Sequence, residues 1–226
     1  MKILRIDFPP PIGGLLRTLS EVGFFDRSLL IGSWVMLIYQ ELYGVRYLLR
    51  TFDIDFAVHF VHPQKQIRAD LERLITDLGF VDFIAGEGVQ KFTAAGYEVE
   101  FIVHRPGGRE FGALTVREWN INALPLPFIN ILTGFSETLE IDGFSLRIPI
   151  PEAYFIHKLI IASRRLTAEK RGKDFEQCAV LIPVLEEERL LRIMEIQRFG
   201  KETRQVLARS CDAIGFPLQR LFFKNM

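Results

Sequence analysis

The chain runs to 226 residues, 49% hydrophobic and 25% charged, which is enough apolar material to core one domain with an appendage or two small domains, and too much for a disordered chain. Its formal net charge of zero excludes a global attraction to nucleic acid or to an anionic membrane, so any site for a polyanion must be local. Cys178 and Cys211 lie in helical-looking segments outside any Cys-x-x-Cys spacing, which argues against a disulfide framework or a zinc site; with no signal-peptide run in the first seven residues and no stretch of about eighteen uninterrupted apolar residues, the expectation is a cytoplasmic protein with no membrane partner.

Pro9-Pro10-Pro11 and Gly13-Gly14 set a short N-terminal strand apart from a helix expected near residues 15 to 22. Leu29-Leu30-Ile31 reads as a short buried strand that delivers Gly32-Ser33 to an apolar helix from Trp34 to about Tyr43, ended by Gly44. A strand over Asp53 to Val58 follows. Gln64 to Leu78 has the period of an amphipathic helix, with Ile67, Leu71, Leu74, Ile75 and Leu78 on its apolar face and Gly79 as its stop. The period then changes to two. Phe80 to Ile84, Val89 to Thr93 and Tyr97 to Val103 read as strands of a small, partly antiparallel meander. The Ile121 to Leu132 region predicts more strand, and Thr138 to Ile141 with Phe144 to Ile148 predicts a hairpin turning at Asp142-Gly143. Beyond Pro149, helical periodicity marks Pro151 to about Leu166, Lys173 to Leu181, Glu186 to Gln197 and Lys201 to Ile214. The expected fold is a mixed α/β core over residues 1–149 followed by a helical domain over 150–226.

The chemistry-bearing residues cluster around Asp53 and Asp55, which alternate with Ile54, Phe56 and Val58. On a strand, the two carboxylates project from one face while the apolar set faces the core. Paired hard oxygens of this kind suit a divalent cation that also carries a substrate's phosphates. Gly32-Ser33 at a strand-to-helix junction offers backbone N–H groups and a hydroxyl to a phosphate, although an ordinary N-cap serine gives the same pattern. Arg50-Thr51 adds a guanidinium and a hydroxyl beside Asp53. A third carboxylate is expected from Glu98 or Glu100, which share a strand face; Glu100 sits deeper in the apolar run and is the one selected, with an exposed edge kept soluble by both glutamates as the alternative. In the helical half, Tyr154, Lys158 and Arg165 are expected on one stripe of the Pro151 helix, turning Lys158 toward a cleft while Leu159, Ile160 and Leu166 pack away from it. Arg164, Arg165, Lys170, Arg171 and Lys173 make a local positive field, readable also as a solvated turn. Asp174 follows as a base or as a favourable charge in the first turn of its helix.

Taken together, Gly32-Ser33, Arg50-Thr51-Phe52-Asp53-Ile54-Asp55-Phe56, Glu100, Lys158-Leu159, Arg164-Arg165 and Lys173-Asp174 resemble the nucleotidyltransferase superfamily with the DNA-polymerase-β-like core, and within it the bacterial abortive-infection toxin nucleotidyltransferases. The resemblance spans most of residues 29 to 182, with Glu where Asp is commoner at the third carboxylate and Ser in place of a second glycine. It implies Asp53, Asp55 and Glu100 as ligands to Mg²⁺ or Mn²⁺, and Gly32 and Ser33 at the phosphates of an NTP such as ATP. It further implies that Lys158 and the Lys173-Asp174 pair serve nucleotide binding and catalysis. The implied activity is transfer of an NMP from the NTP to a hydroxyl on RNA, protein or a small molecule, with an antitoxin protein as partner if the chain is the toxin half of a pair. A non-catalytic nucleotide- or nucleic-acid-binding protein that keeps the fold is the alternative.

Overall fold

The structure is a computed structural model that describes residues 3–60, 67–105 and 112–221. The chain divides into two compact units, one of residues 1–38 and 49–149 and the other of residues 39–48 and 150–226.

The first unit is α/β. It begins with β1 (Ile3–Leu4) and α1 (Pro10–Glu21). That helix starts five residues earlier than the glycine pair suggests, because Pro10 occupies its first turn, where a missing N–H costs nothing. The main sheet is built from β2 (Leu29–Ile31), β3 (Asp53–Val58), β4 (Val81–Ile84), β5 (Gln90–Ala94) and β6 (Tyr97–His104), in the spatial order β2-β3-β6-β5-β4. β7 (Leu114–Val116), which the sequence pattern does not reveal, pairs with β8 (Ile121–Leu126), and β8 in turn runs parallel to the C-terminal end of β6. Of the region expected as strand from Ile121 to Leu132, the second part is instead a short helix, α4 (Ile129–Gly134). Its Ile129 and Leu132 pack on the sheet with Leu29, Ile31, Ala57 and Ile102. A continuous apolar run carries no period, and here burial on the sheet decides between helix and strand.

The opposite sheet face is aromatic. Phe24 meets Phe56, Phe101 and Trp119 edge-on at ring centroid distances of 5.8, 5.8 and 5.3 Å, an arrangement favoured by the ring quadrupoles. A second, three-stranded sheet joins β1 to β9 (Ser136–Ile141) and β10 (Phe144–Pro149). Asp142 and Gly143 connect β9 to β10 with φ of 47° and 82°, the left-handed pair that a two-residue hairpin turn requires.

The helix expected over Gln64 to Leu78 is shorter. α3 spans Leu71–Asp77, and Ile67 is exposed outside it; residues 64–66 lie outside the described residues. The carboxylate of Asp70 accepts the N–H of Arg73 and the amide of Asn120 at 3.2 and 2.9 Å, which sets the start of the helix there.

The second unit is helical: the end of α2 (Val35–Tyr43), then α5 (Pro151–Ala162), α6 (Ala168–Leu181), α7 (Glu187–Gln197) and α8 (Lys201–Ala213). α5 packs against α6, α7 and α8, so it is buried on every side, as a helix with apolar residues all round must be. It stops at Ala162, four residues short of the expected end; Leu166, expected to pack, is fully exposed, and Thr167 caps α6 by accepting the N–H of Lys170 at 3.3 Å. Among the described residues no helix is long and apolar enough to cross a membrane.

Candidate active site

Parallel pairing of β3 with β6 sets Asp53 opposite Glu98, Asp55 opposite Glu100 and Ala57 opposite Ile102. Directly opposed residues share a face, so one face of these two strands carries four carboxylates at its N-terminal end and then passes into the apolar core. Antiparallel pairing extends the row on both sides, with Ile31 of β2 opposite Asp55 and Lys91 of β5 opposite Glu100. Four neighbouring strands therefore present Ile31, Asp55, Glu100 and Lys91 in line across one face. Ile54, Phe56, Val99 and Phe101, on the alternate parity, are fully buried on the other face. The alternation in the sequence is what aims the carboxylates away from the core.

Gly32 and Ser33 form a 3-10 turn with Trp34 directly after β2. Gly32 holds φ at +68°, and a Cβ built on it would lie 2.2 Å from Oδ2 of Asp55. The turn thus lies so close to the Asp55 carboxylate that any Cβ there would displace it, and the positive φ itself favours glycine. Ser33 is buried. At the strand's start the Thr51 hydroxyl accepts the N–H of Asp53 at 3.2 Å and stands 3.5 Å from its carboxylate. Arg50 is exposed, as is Phe52, whose ring lies 5.6 Å from that of Tyr97, which in turn meets Trp34 at 5.9 Å. Phe52 continues the apolar alternation of Ile54, Phe56 and Val58, and Tyr97 shares the parity of Val99 and Phe101; that the two rings meet was not visible in the sequence.

Lys91 is the residue that sequence reasoning missed. Its ammonium lies 2.7 Å from Glu98 Oε1 and 3.4 Å from Glu100 Oε1. Burial alone would lower its pKa, but the two glutamates together carry it above the ordinary lysine value. Glu100 moves upward from the ordinary carboxylate value because burial outweighs the pull of Lys91, with Glu98 and Asp53 adding repulsion. The signal in the sequence was the spacing of Lys91 from a hairpin whose register only the structure reveals. Among the described residues, no three His, Cys, Asp or Glu side chains are gathered so that they could hold a metal ion. The oxygens of Asp53, Asp55 and Glu100 nonetheless match the donor chemistry of a hard divalent cation, and the third of them is the one in contact with Lys91.

In the helical unit Lys158 does not face solvent; it is 6% exposed. Its ammonium donates to Asp174 Oδ1 at 2.7 Å, and Arg165 Nε donates to Oδ2 of the same carboxylate at 2.7 Å. Burial would raise Asp174, but Lys158 and Arg165 hold it below the ordinary aspartate value. The expected cleft-facing stripe fails because α5 is enclosed by its neighbours and because Arg165 lies beyond the helix end. Lys173 is half-buried on α6.

The α/β fold with carboxylates aligned beside a glycine–serine turn is the class of protein that the resemblance implied. A family model described as nucleotidyltransferase matches residues 11–198, and the chain belongs to the nucleotidyltransferase family. Among solved structures it is similar to an antigenic nucleotidyltransferase-like protein from Paracoccidioides brasiliensis, at 17% identity over 89% of this chain and 88% of that one, with a TM-score of 0.49. No curated protein matches.

Proposed function

We propose that the protein is an enzyme that transfers an NMP from an NTP to a hydroxyl acceptor. The observation that carries this reading is the register of β3 against β6, which lines Asp55 up with Glu100 and sets Asp53 beside them, next to the Gly32-Ser33 turn, in a chain of the nucleotidyltransferase family.

Asp53, Asp55 and Glu100 would hold Mg²⁺ or Mn²⁺ together with the phosphates of the NTP. A divalent cation there supplies neutralisation of the charge that builds on the leaving pyrophosphate. The Thr51 hydroxyl accepts the N–H of Asp53 and stands 3.5 Å from its carboxylate, and the Gly32 backbone leaves the Asp55 carboxylate room beside the turn. The turn's N–H groups and the Ser33 hydroxyl are assigned to phosphate oxygens, and the exposed Arg50 adds a guanidinium that matches phosphate geometry. In the helical unit the proposal retains Lys158, Lys173 and Asp174 for the nucleotide. The support is charge: Asp174 takes both Lys158 and Arg165, which leaves that group one positive charge in excess. The resemblance extends to toxin nucleotidyltransferases; if the chain is the toxin half of a toxin–antitoxin pair, growth arrest on induction of the native chain, and none with Asp53→Asn, is the expected result.

The decisive experiment incubates the full chain with each labelled NTP, Mg²⁺ and a whole-cell extract, and asks whether label passes into RNA, protein or small molecules. Asp53→Asn and Asp55→Asn are each expected to abolish transfer without lowering the melting temperature, since crowded carboxylates repel when no cation is bound. Nucleotide binding without transfer in the native chain would establish the non-catalytic alternative instead.

A further inference from the structure

The row Ile31, Asp55, Glu100 and Lys91 places a positive charge one strand away from the carboxylates assigned to the cation. Lys91 is not held equally by its two partners. It stands 2.7 Å from Glu98 and 3.4 Å from Glu100, so the tighter contact is to the glutamate opposite Asp53 and the looser one to the glutamate opposite Asp55. All three side chains are partly shielded, Lys91 at 23% and Glu100 at 19% exposure, where charges interact more strongly than in open water.

We propose that Lys91 is a built-in counter-ion for the third carboxylate: it neutralises Glu100 when no divalent cation is present, and it yields Glu100 to the cation while remaining on Glu98. The proposal rests on the metal-dependent reading above, and it gives the two neighbouring glutamates different duties. Glu98 anchors the lysine; Glu100 is exchanged between lysine and cation. A cation arriving beside Asp55 meets a like charge across Glu100, so the free ion binds less tightly than the four carboxylates alone would hold it. A cation already carrying triphosphate brings its own negative charge, which offsets that repulsion. Lys91 thereby ties occupancy of Glu100 to the presence of nucleotide and acts as a positioning residue, touching the reacting groups only through Glu100.

The test is calorimetric titration of the full chain with Mn²⁺, with and without a non-hydrolysable NTP, alongside circular dichroism to confirm folding. Lys91→Met is expected to tighten binding of Mn²⁺ alone by about tenfold, the order that removing one nearby like charge at a half-shielded site gives. It is also expected to shrink the factor by which nucleotide improves Mn²⁺ binding. Glu98→Gln should act in the opposite sense, since Lys91, freed from its tighter partner, rests wholly on Glu100. Unchanged or weaker Mn²⁺ binding in Lys91→Met, or tighter binding in Glu98→Gln, overturns the proposal. If the native chain binds Mn²⁺ and Asp55→Asn does not, that failure belongs to Lys91 alone; if the native chain binds none, with or without nucleotide, the metal-dependent reading falls and Lys91's role falls with it.

Discussion

At the scale of single residues, Gly32 is the position where backbone and chemistry meet. Any other L-residue there is strained by its φ of +68° and would drive a Cβ into the Asp55 carboxylate. Gly32→Ala is therefore expected to lower stability by about 1–2 kcal/mol from the backbone conformation alone, with a further loss from the contact. Chemical denaturation of Gly32→Ala in native and Asp55→Ala backgrounds separates the two: the penalty should be smaller once the carboxylate is gone, and equal penalties would deny the close approach. His157 is a second residue with a measurable signature. It is buried in α5 with no hydrogen-bond partner for Nε2 among the described residues, and burial first, then the neighbouring Lys158, with Arg165 adding to them and Asp174 opposing, push it from 6.5 down to about 3. The unfolded chain takes up that proton below about pH 6.5 and the folded chain does not until near pH 3. Stability is thus full above the first value and is lost progressively as the pH falls between the two. Asp174, lowered in the folded state, adds a loss that begins below the ordinary aspartate value. His157→Leu should flatten the fall in melting temperature between pH 6.5 and 4, and a slope equal to that of the native chain would place the imidazole in contact with water. Of these residues the sequence declared Asp53, Asp55 and the glycine–serine turn, because alternation and a strand-to-helix junction are local patterns. Lys91, His157 and the pairing of Asp174 with Lys158 and Arg165 depend on which elements become neighbours, and no local pattern carries that.

Elements show the same division. β3 and β6 were legible from their period of two, β2 from a short continuous apolar run ahead of Gly32, and α7 and α8 from their amphipathic faces. β7 was not, since three residues are too few to show a period. α3 was over-extended because Ile67 falls in helical phase with Leu71 and Leu74, yet the N–H groups of Arg68 and Ala69 pair with the carbonyl of Glu118, which draws the chain out of the helix before Asp70. Asp70 then fixes the start through two hydrogen bonds. Asp70→Ala should cost about 1 kcal/mol, the usual value of an N-cap, while Asp70→Ser, which keeps an acceptor, should cost less; denaturant midpoints of the two variants make the comparison. In α5, a helix enclosed on all sides carries an ion pair at its middle. Asp174→Ala leaves Lys158 buried without its partner and is expected to cost about 3–5 kcal/mol, as is typical when one member of a buried pair is removed. Lys158→Ala should cost less, because Arg165 still holds Asp174.

Over the whole molecule, the chain crosses between its two units three times: after Ile38, after Leu48 and after Pro149. The short excursion from Tyr39 to Leu48 is held in the helical unit by specific contacts. Tyr39 meets Tyr154 edge-on at 5.7 Å, and the Tyr47 hydroxyl accepts from Gln177, whose carbonyl oxygen accepts from Tyr154. Residues 1–149 expressed alone would leave Tyr39 and Tyr47 without these partners, and such a fragment should bind a hydrophobic dye that the full chain does not. The interleaving also orders events during synthesis. Tyr47 leaves the ribosome some 130 residues before Gln177, the sequence separation of their hydrogen bond, and at typical elongation rates that is a wait of roughly 7–25 seconds. Over that interval the strands that carry Asp53, Asp55 and Glu100 can pair into their sheet, while the tyrosine segment stays open to chaperones until the helices that bear Tyr154 and Gln177 arrive.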